Sequence, residues 1–249
     1  MRTSLVGLAL LAWIGSVAGS RIAVAASLVA DLSSHLIAIT TGFTGTEVLL
    51  FGAKEGPGQV VMIVRGPTSS VTVRKKSRVA GIWMNTERVT FSNVPSFYAV
   101  ATSAPLPDIA PPQVLARHQI GFDQLKFDAP PDVDPDRFRE FRKALIRNQQ
   151  RAGNFMNEVG DISFLGNTLF RASVYFPANV PVGVYLVEVL LLQNGEITGA
   201  QTTPLIISKV GFGAEIFDFA HQKAALYGVV AILLSLMAGW LPHILLRRA

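Results

Sequence analysis

The chain has 249 residues, half of them hydrophobic, with a formal net charge of +5 and no cysteine. The lack of cysteine excludes a disulfide scaffold, a thiolate metal site and a lipid-modified N-terminal cysteine. The positive balance invites a nucleic-acid reading, but five of the 22 Lys and Arg (Arg2, Arg21, Lys223, Arg247 and Arg248) lie at the two ends, leaving 17 basic against 17 acidic residues between them. A neutral central region has no polyanion footprint, so no nucleic-acid partner is expected.

At the N-terminus, Arg2 precedes an apolar run from Leu5 to Val17, and Ala23-Val24-Ala25 supplies small residues at the spacing signal peptidase accepts. Residues 1–26 therefore read as a signal peptide cut after Ala25 or Ala26, with an uncleaved anchor as the alternative. The exported part, Ser27 to Ala220, is long enough for one large or two small domains.

Residues 27–106 read as short strands. His35–Thr40 and Thr46–Phe51 flank Thr41-Gly42-Phe43-Thr44-Gly45, the pattern of a hairpin. Further apolar runs at Gln59–Arg65, Ser70–Arg74, Arg88–Phe91 and Phe97–Thr102 are broken by Gly56-Pro57-Gly58, Gly66-Pro67 and Asn93-Val94-Pro95. Such spacing points to an antiparallel sandwich. Four prolines between Pro105 and Pro112 mark residues 107–113 as a stiff linker, since proline fixes φ and cannot donate to a ladder.

Residues 114–212 read as a second sandwich. Val114–His118 and Phe122–Phe127 are its first candidate strands. A helix over 134–153 is expected next, with Asp134 as N-cap, Pro135 in the first turn, an apolar stripe of Phe138, Phe141 and Leu145, and Gly153 as the stop. Thr168–Phe176, Val184–Leu192 and Ile197–Ser208 read as strands. Asn194-Gly195 carries a type I′ turn signal, and Pro204 marks an edge or bulge. Pro181-Val182-Gly183-Val184-Tyr185 has the pattern in which a tyrosine braces a corner of an immunoglobulin-like sandwich. The expected fold is thus mainly β: two immunoglobulin-like antiparallel sandwiches with one inserted amphipathic helix, plus a C-terminal transmembrane helix.

After a juxtamembrane stretch, 213–223, the 23 residues Ala224–Leu246 carry no charge and are followed by Arg247-Arg248. At 1.5 Å per residue they reach about 34 Å, enough for a hydrocarbon core of about 30 Å. The positive-inside rule puts the 247–249 tail in the cytoplasm and the domain outside, as a single-pass protein of a bacterial inner membrane. Gly228, Ala231, Ser235 and Gly239 offer a small-residue face for helix association.

No catalytic or cofactor motif stands out. His35, His118, His221 and His243 are widely spaced, and there is no GxSxG, SxxK, Walker A or dinucleotide fingerprint. The chain is expected to be non-enzymatic, without cofactor or metal. An enzyme would need acids assembled from distant loops. Two basic clusters are candidate anion or partner contacts: Arg74, Lys75, Lys76 and Arg78 in one run, and the helix arginines Arg139 and Arg142. A solvated edge that blocks aggregation is the plainer reading of the first.

Several stretches together carry a resemblance: Asp31–Gly45, Glu47–Ala53, Arg137–Arg147, Pro177–Tyr185 and Lys209–Gly211 leading to Asp218–His221. Over nearly the whole mature chain it resembles an alphaproteobacterial family of transmembrane proteins of unknown function. That resemblance implies a signal peptide, an exported β-rich domain and a C-terminal span, and supplies no activity. The functional expectation is a periplasmic interaction or accessory module of a membrane or envelope complex, in contact with the lipid bilayer and with a membrane or periplasmic protein. The alternative is a binding module for an anionic small molecule or polysaccharide.

Overall fold

The computed structural model describes residues 28–211, 216 and 219–246, with side chains as far as Trp240. The expected signal peptide, the cytoplasmic tail and part of the juxtamembrane stretch lie outside the described residues.

The strands in chain order are β1 (Leu28–Leu32), β2 (Leu36–Ile39), β3 (Gly45–Lys54), β4 (Gln59–Arg65), β5 (Thr68–Val79), β6 (Ile82–Pro95), β7 (Tyr98–Thr102), β8 (Gly160–Asp161), β9 (Ser163–Leu165), β10 (Leu169–Pro177), β11 (Gly183–Gln193) and β12 (Glu196–Lys209). The helices are α1 (Leu106–Ile109), α2 (Pro112–His118), α3 (Pro135–Arg151) and α4 (Ala224–Leu246). One sheet has the order β1-β3-β10-β9 and a second the order β2-β12-β11-β4-β7-β8, while β5 and β6 form a two-stranded ribbon.

The two larger sheets face each other across one core that includes Leu50, Val60, Met62, Val64, Phe170, Phe176, Tyr185 and Leu205. The central strand β4 shows why the chain adds a third layer. Its run Val60-Val61-Met62-Ile63-Val64 is buried throughout. Successive side chains point to opposite faces, so Val60, Met62 and Val64 enter the sandwich core while Val61 and Ile63 enter a second core. Phe91, Ile109, Leu115, Phe141, Leu145 and Phe155 from the ribbon, the helices and their connections cover that second face. A continuous apolar run is the signature of a strand covered on both sides.

This topology corrects the expected division into two sandwiches. β3 pairs with β10 over nine residues, and β4 pairs with β11 from Leu186↔Arg65 to Leu192↔Gln59. Strands from both sides of the proline-rich stretch thus share one sandwich. The sheets are also not purely antiparallel, since β2 pairs parallel to β12 and β7 parallel to β8. The expected β2–β3 hairpin does not form either. β2 joins β12 in one sheet and β3 joins β1 and β10 in the other, so the Gly42 turn crosses between layers.

The expected 107–113 linker is instead part of α1 and α2, and Val114–His118, expected as a strand, lies in α2. Proline suits a helix's first turn, where its missing N–H has no partner to lose, and both short helices carry one there. Phe122–Gln124 is a 3₁₀ turn rather than a strand. Other local expectations match. The Asp134 carboxylate accepts from the Asp136 and Arg137 amides at 3.0 and 3.3 Å, capping α3. Asn194 and Gly195 both have positive φ at the β11–β12 turn. Pro204 sits where β12 is still unpaired on its outer side, because the β2 ladder begins at Ile206.

The C-terminal helix α4 has the expected bounds, Ala224–Leu246. The portion with described side chains, Ala224 to Trp240, rises about 25 Å. Among the described residues no helix is long and apolar enough to cross a membrane. A crossing of about 30 Å needs about 20 residues, so it draws on positions beyond Trp240.

Candidate functional site

β12 leaves its sheet at Lys209, beside Ile39 of β2, and Ile207 opposes Gly183 at the start of β11. Arg65 at the end of β4 lies beside Leu186, at this same exit end. Here the ladder does not stop. The Gly66 amide donates to the Phe97 carbonyl at 2.9 Å, the Ser96 amide to the Pro67 carbonyl at 2.8 Å, and Thr68 opposes Pro95. β4–β5 and β6–β7 are therefore one bent ribbon, whose outer half, β5–β6, forms an arm rooted at the exit end. Gly66 makes the bend possible: a β-carbon there would lie 2.5 Å from the Ser96 hydroxyl and 2.9 Å from the Phe97 nitrogen.

A polar knot holds the root. Arg65 is ion-paired with Glu188 of β11 at 2.6 Å and also donates to the His118 carbonyl at the end of α2 at 2.6 Å. The Tyr98 hydroxyl donates to the Gln119 carbonyl at 2.6 Å and accepts from the Gly121 amide at 2.9 Å. Burial pushes the Tyr98 phenol up to about 12. The Tyr185 hydroxyl donates to the Pro181 carbonyl at 2.6 Å, the corner brace its sequence pattern predicts, and burial raises it to about 12 as well. These partners were not legible as pairs, yet Glu188 was a signal: a carboxylate inside the run Val184–Leu192 needs a cation.

The run Arg74 to Arg78 lies on the arm, within β5, and α3 packs beside it. Between them is a groove of about 380 Å³ with Val73, Phe141 and Ala144 among its lining residues. Arg74, Lys75 and Lys76 enter from the strand, and Lys143 and Arg147 from the helix. Lys75 is ion-paired with Glu140 at 2.8 Å, and the hydrogen bond to that carboxylate raises the lysine's pKa. Among the described residues, no carboxylate lies within ion-pair distance of Arg74, Lys76, Lys143 or Arg147. The two helix arginines expected at such a site point elsewhere. Arg139 pairs with Asp136, while Arg142 donates to the Asp123 and Leu125 carbonyls and stacks on Phe127. Lys143 and Arg147, on the side of α3 that faces the arm, line the groove in their place.

Two exposed apolar surfaces lie at the exit end and on the arm rooted there. On the outer face of the second sheet, Leu36, Ile206 and Val184 are consecutive cross-strand neighbours and Leu186 adjoins them, each about half exposed. This stripe sits at the exit end. The second surface is the arm's tip, where Val79, Ile82, Trp83 and Met84 are 47, 67, 67 and 53% exposed. The sequence signal for the tip was the run Ile82-Trp83-Met84 after Ala80-Gly81. Alternation alone does not reveal it, since the strand has no buried face there.

Gly228, Ala231, Ser235 and Gly239 lie along α4. The Ser235 hydroxyl donates to the Ala231 carbonyl at 2.8 Å, and a β-carbon at either glycine would meet nothing within 4 Å. Among the described residues, no group of three or more potential ligands could hold a metal ion. His35 contacts Asp31 at 2.8 Å on the surface.

A family model described as "Putative transmembrane protein (Alph_Pro_TM)" matches residues 27–248. The chain belongs to this family. None of the curated proteins matches it. The match spans the sandwich, the arm and α4 together.

Proposed function

We propose that the protein is a non-enzymatic, single-span inner-membrane protein whose exported sandwich serves as an interaction or accessory module of a membrane or envelope complex. The observation that carries this reading is the apolar stripe Leu36–Ile206–Val184–Leu186 at the exit end of the sheet. Contiguous exposed apolar area of this kind marks a binding surface, and its position suits a partner in the same membrane. The full uncharged length of α4, followed by Arg247-Arg248, supports a span with the C-terminus in the cytoplasm and the sandwich in the periplasm. The family's description as transmembrane supports the anchor, and its match from residue 27 suits a mature chain that follows a signal peptide.

The test is a photocrosslinking residue placed at Ile206 or at Val184 in the native membrane, with Ser173 on the other sheet's exposed face as control. One discrete adduct from the first two positions and none from the third supports the module. The same adducts from all three, or none from any, overturns it. A periplasmic signal from a reporter fused after Ala249 overturns the topology.

The groove favours a second reading, as an anion-binding module. Arg74, Lys76, Lys143 and Arg147 all line the groove beside Val73, Phe141 and Ala144, which suits a phosphorylated or sulfated ligand. Thermal shift of a 27–220 fragment against phosphate, sulfate and acidic glycans tests it. A panel that leaves the melting temperature unmoved refutes it.

A further inference from the structure

We infer that the tip of the β5–β6 arm inserts into the surface of an anionic phospholipid bilayer. The inference rests on the membrane-anchored reading above. The arm from Thr68 to Pro95 holds five basic residues (Arg74, Lys75, Lys76, Arg78 and Arg88) and one acidic residue, Glu87, whereas the rest of the exported region holds 12 basic and 16 acidic residues. Glu87 is already engaged by Arg137 at 3.3 Å and Lys75 at 3.9 Å. Arg74 directly opposes Arg88 across the ladder, a like-charge pair that costs stability unless an anion lies nearby.

The apolar residues are placed beyond this collar, at the turn. Val79 opposes Ile82, Trp83 opposes Arg78 and Met84 opposes Ser77, so apolar side chains stand on both faces of the ribbon's end. Packing against another protein would ask for one apolar face. Insertion of the whole end suits apolar groups on both. Indole rings settle at the headgroup level, and each nearby cation adds attraction to anionic lipid. The reach is sufficient, because twelve strand residues from Thr68 span about 40 Å, starting from the end of the sheet at which the chain leaves for α4.

The chain has no cysteine, so one can be placed cleanly. Full-length Ile82→Cys is labelled with an environment-sensitive fluorophore and reconstituted in vesicles of phosphatidylcholine with about one third phosphatidylglycerol, and in phosphatidylcholine alone. Glu196→Cys, at the start of β12 and the opposite end of the sheet, is the control. The expected result is a blue shift at position 82 and quenching by spin-labelled lipid in the anionic vesicles only. Lys76→Gln and Arg78→Gln should each weaken the lipid contact about fivefold. A probe at position 82 that iodide quenches equally in both vesicles overturns the inference, as does a blue shift without lipid quenching, which would mean a protein occupant or a second copy. Alkaline carbonate extraction reads the anchor separately. A chain retained but unquenched loses the arm contact, and a chain released but quenched loses the span.

Discussion

Tyr98→Phe removes a single oxygen from the root of the arm, and its effect can be worked through from the structure. The ring is fully buried, and its hydroxyl serves two backbone groups, the Gln119 carbonyl and the buried Gly121 amide. Each bond is worth about 1 kcal/mol net, and leaving a buried partner unsatisfied adds about 1–3 kcal/mol. The expected loss at pH 7 is therefore roughly 2–4 kcal/mol. The same hydroxyl carries a pH signature. Its folded pKa is about 12, against an ordinary value of 10.0. The unfolded chain releases this proton first, so the contribution is complete below pH 10 and is lost as pH rises toward 12. At about 1.4 kcal/mol per unit, most of two units, or roughly 2 kcal/mol, disappears over that window. Tyr185 adds a similar loss in both proteins, so it cancels in the difference. Urea denaturation of the 27–220 fragment, which holds every described strand, should show a gap between wild type and Tyr98→Phe that narrows by about 2 kcal/mol between pH 9 and pH 12. A gap below about 0.5 kcal/mol at pH 7, or one that stays constant with pH, would refute the claim that this hydroxyl is dry and doubly bonded.

Tyr185→Phe should cost about 1 kcal/mol in the same assay, through loss of the bond to the Pro181 carbonyl, and should remove its own share of the alkaline loss. Gly66→Ala should destabilise the fragment by roughly 2 kcal/mol or more, because the new β-carbon meets backbone and the buried Tyr185 ring at 2.9 Å; hydrogen exchange should be fastest at the arm's root. Phe141→Ala should cost about 3–5 kcal/mol, because this fully buried ring joins α3 to the second core. If the groove binds anions, Lys143→Glu with Arg147→Glu should abolish the thermal shift that sulfate produces in wild type, whereas Arg139→Glu should leave it intact.

Local order was legible wherever neighbours along the chain decide it. Asp134 and Pro135 start α3 because cap and first-turn rules act over three residues. Asn194-Gly195 makes its turn, Tyr185 braces Pro181, and α4 begins and ends where its uncharged run does. The placement of charge at the two ends and the neutrality of the region between were plain from composition alone.

What only the tertiary structure decided is which strand finds which partner. An apolar run such as Gln59–Arg65 says that both its faces are buried but does not say by what, and here the covers come from β3 and β10 on one side and α2, α3 and the arm on the other. The split into two sandwiches failed for that reason. Pairing energy depends on register and burial, which are set between segments more than a hundred residues apart, as with Arg65 and Glu188. The basic run was visible as charge. Its position on an arm, the helix positions opposite it and the apolar tip beyond it exist only once the ladder bends at Gly66 and runs on past the end of the sheet.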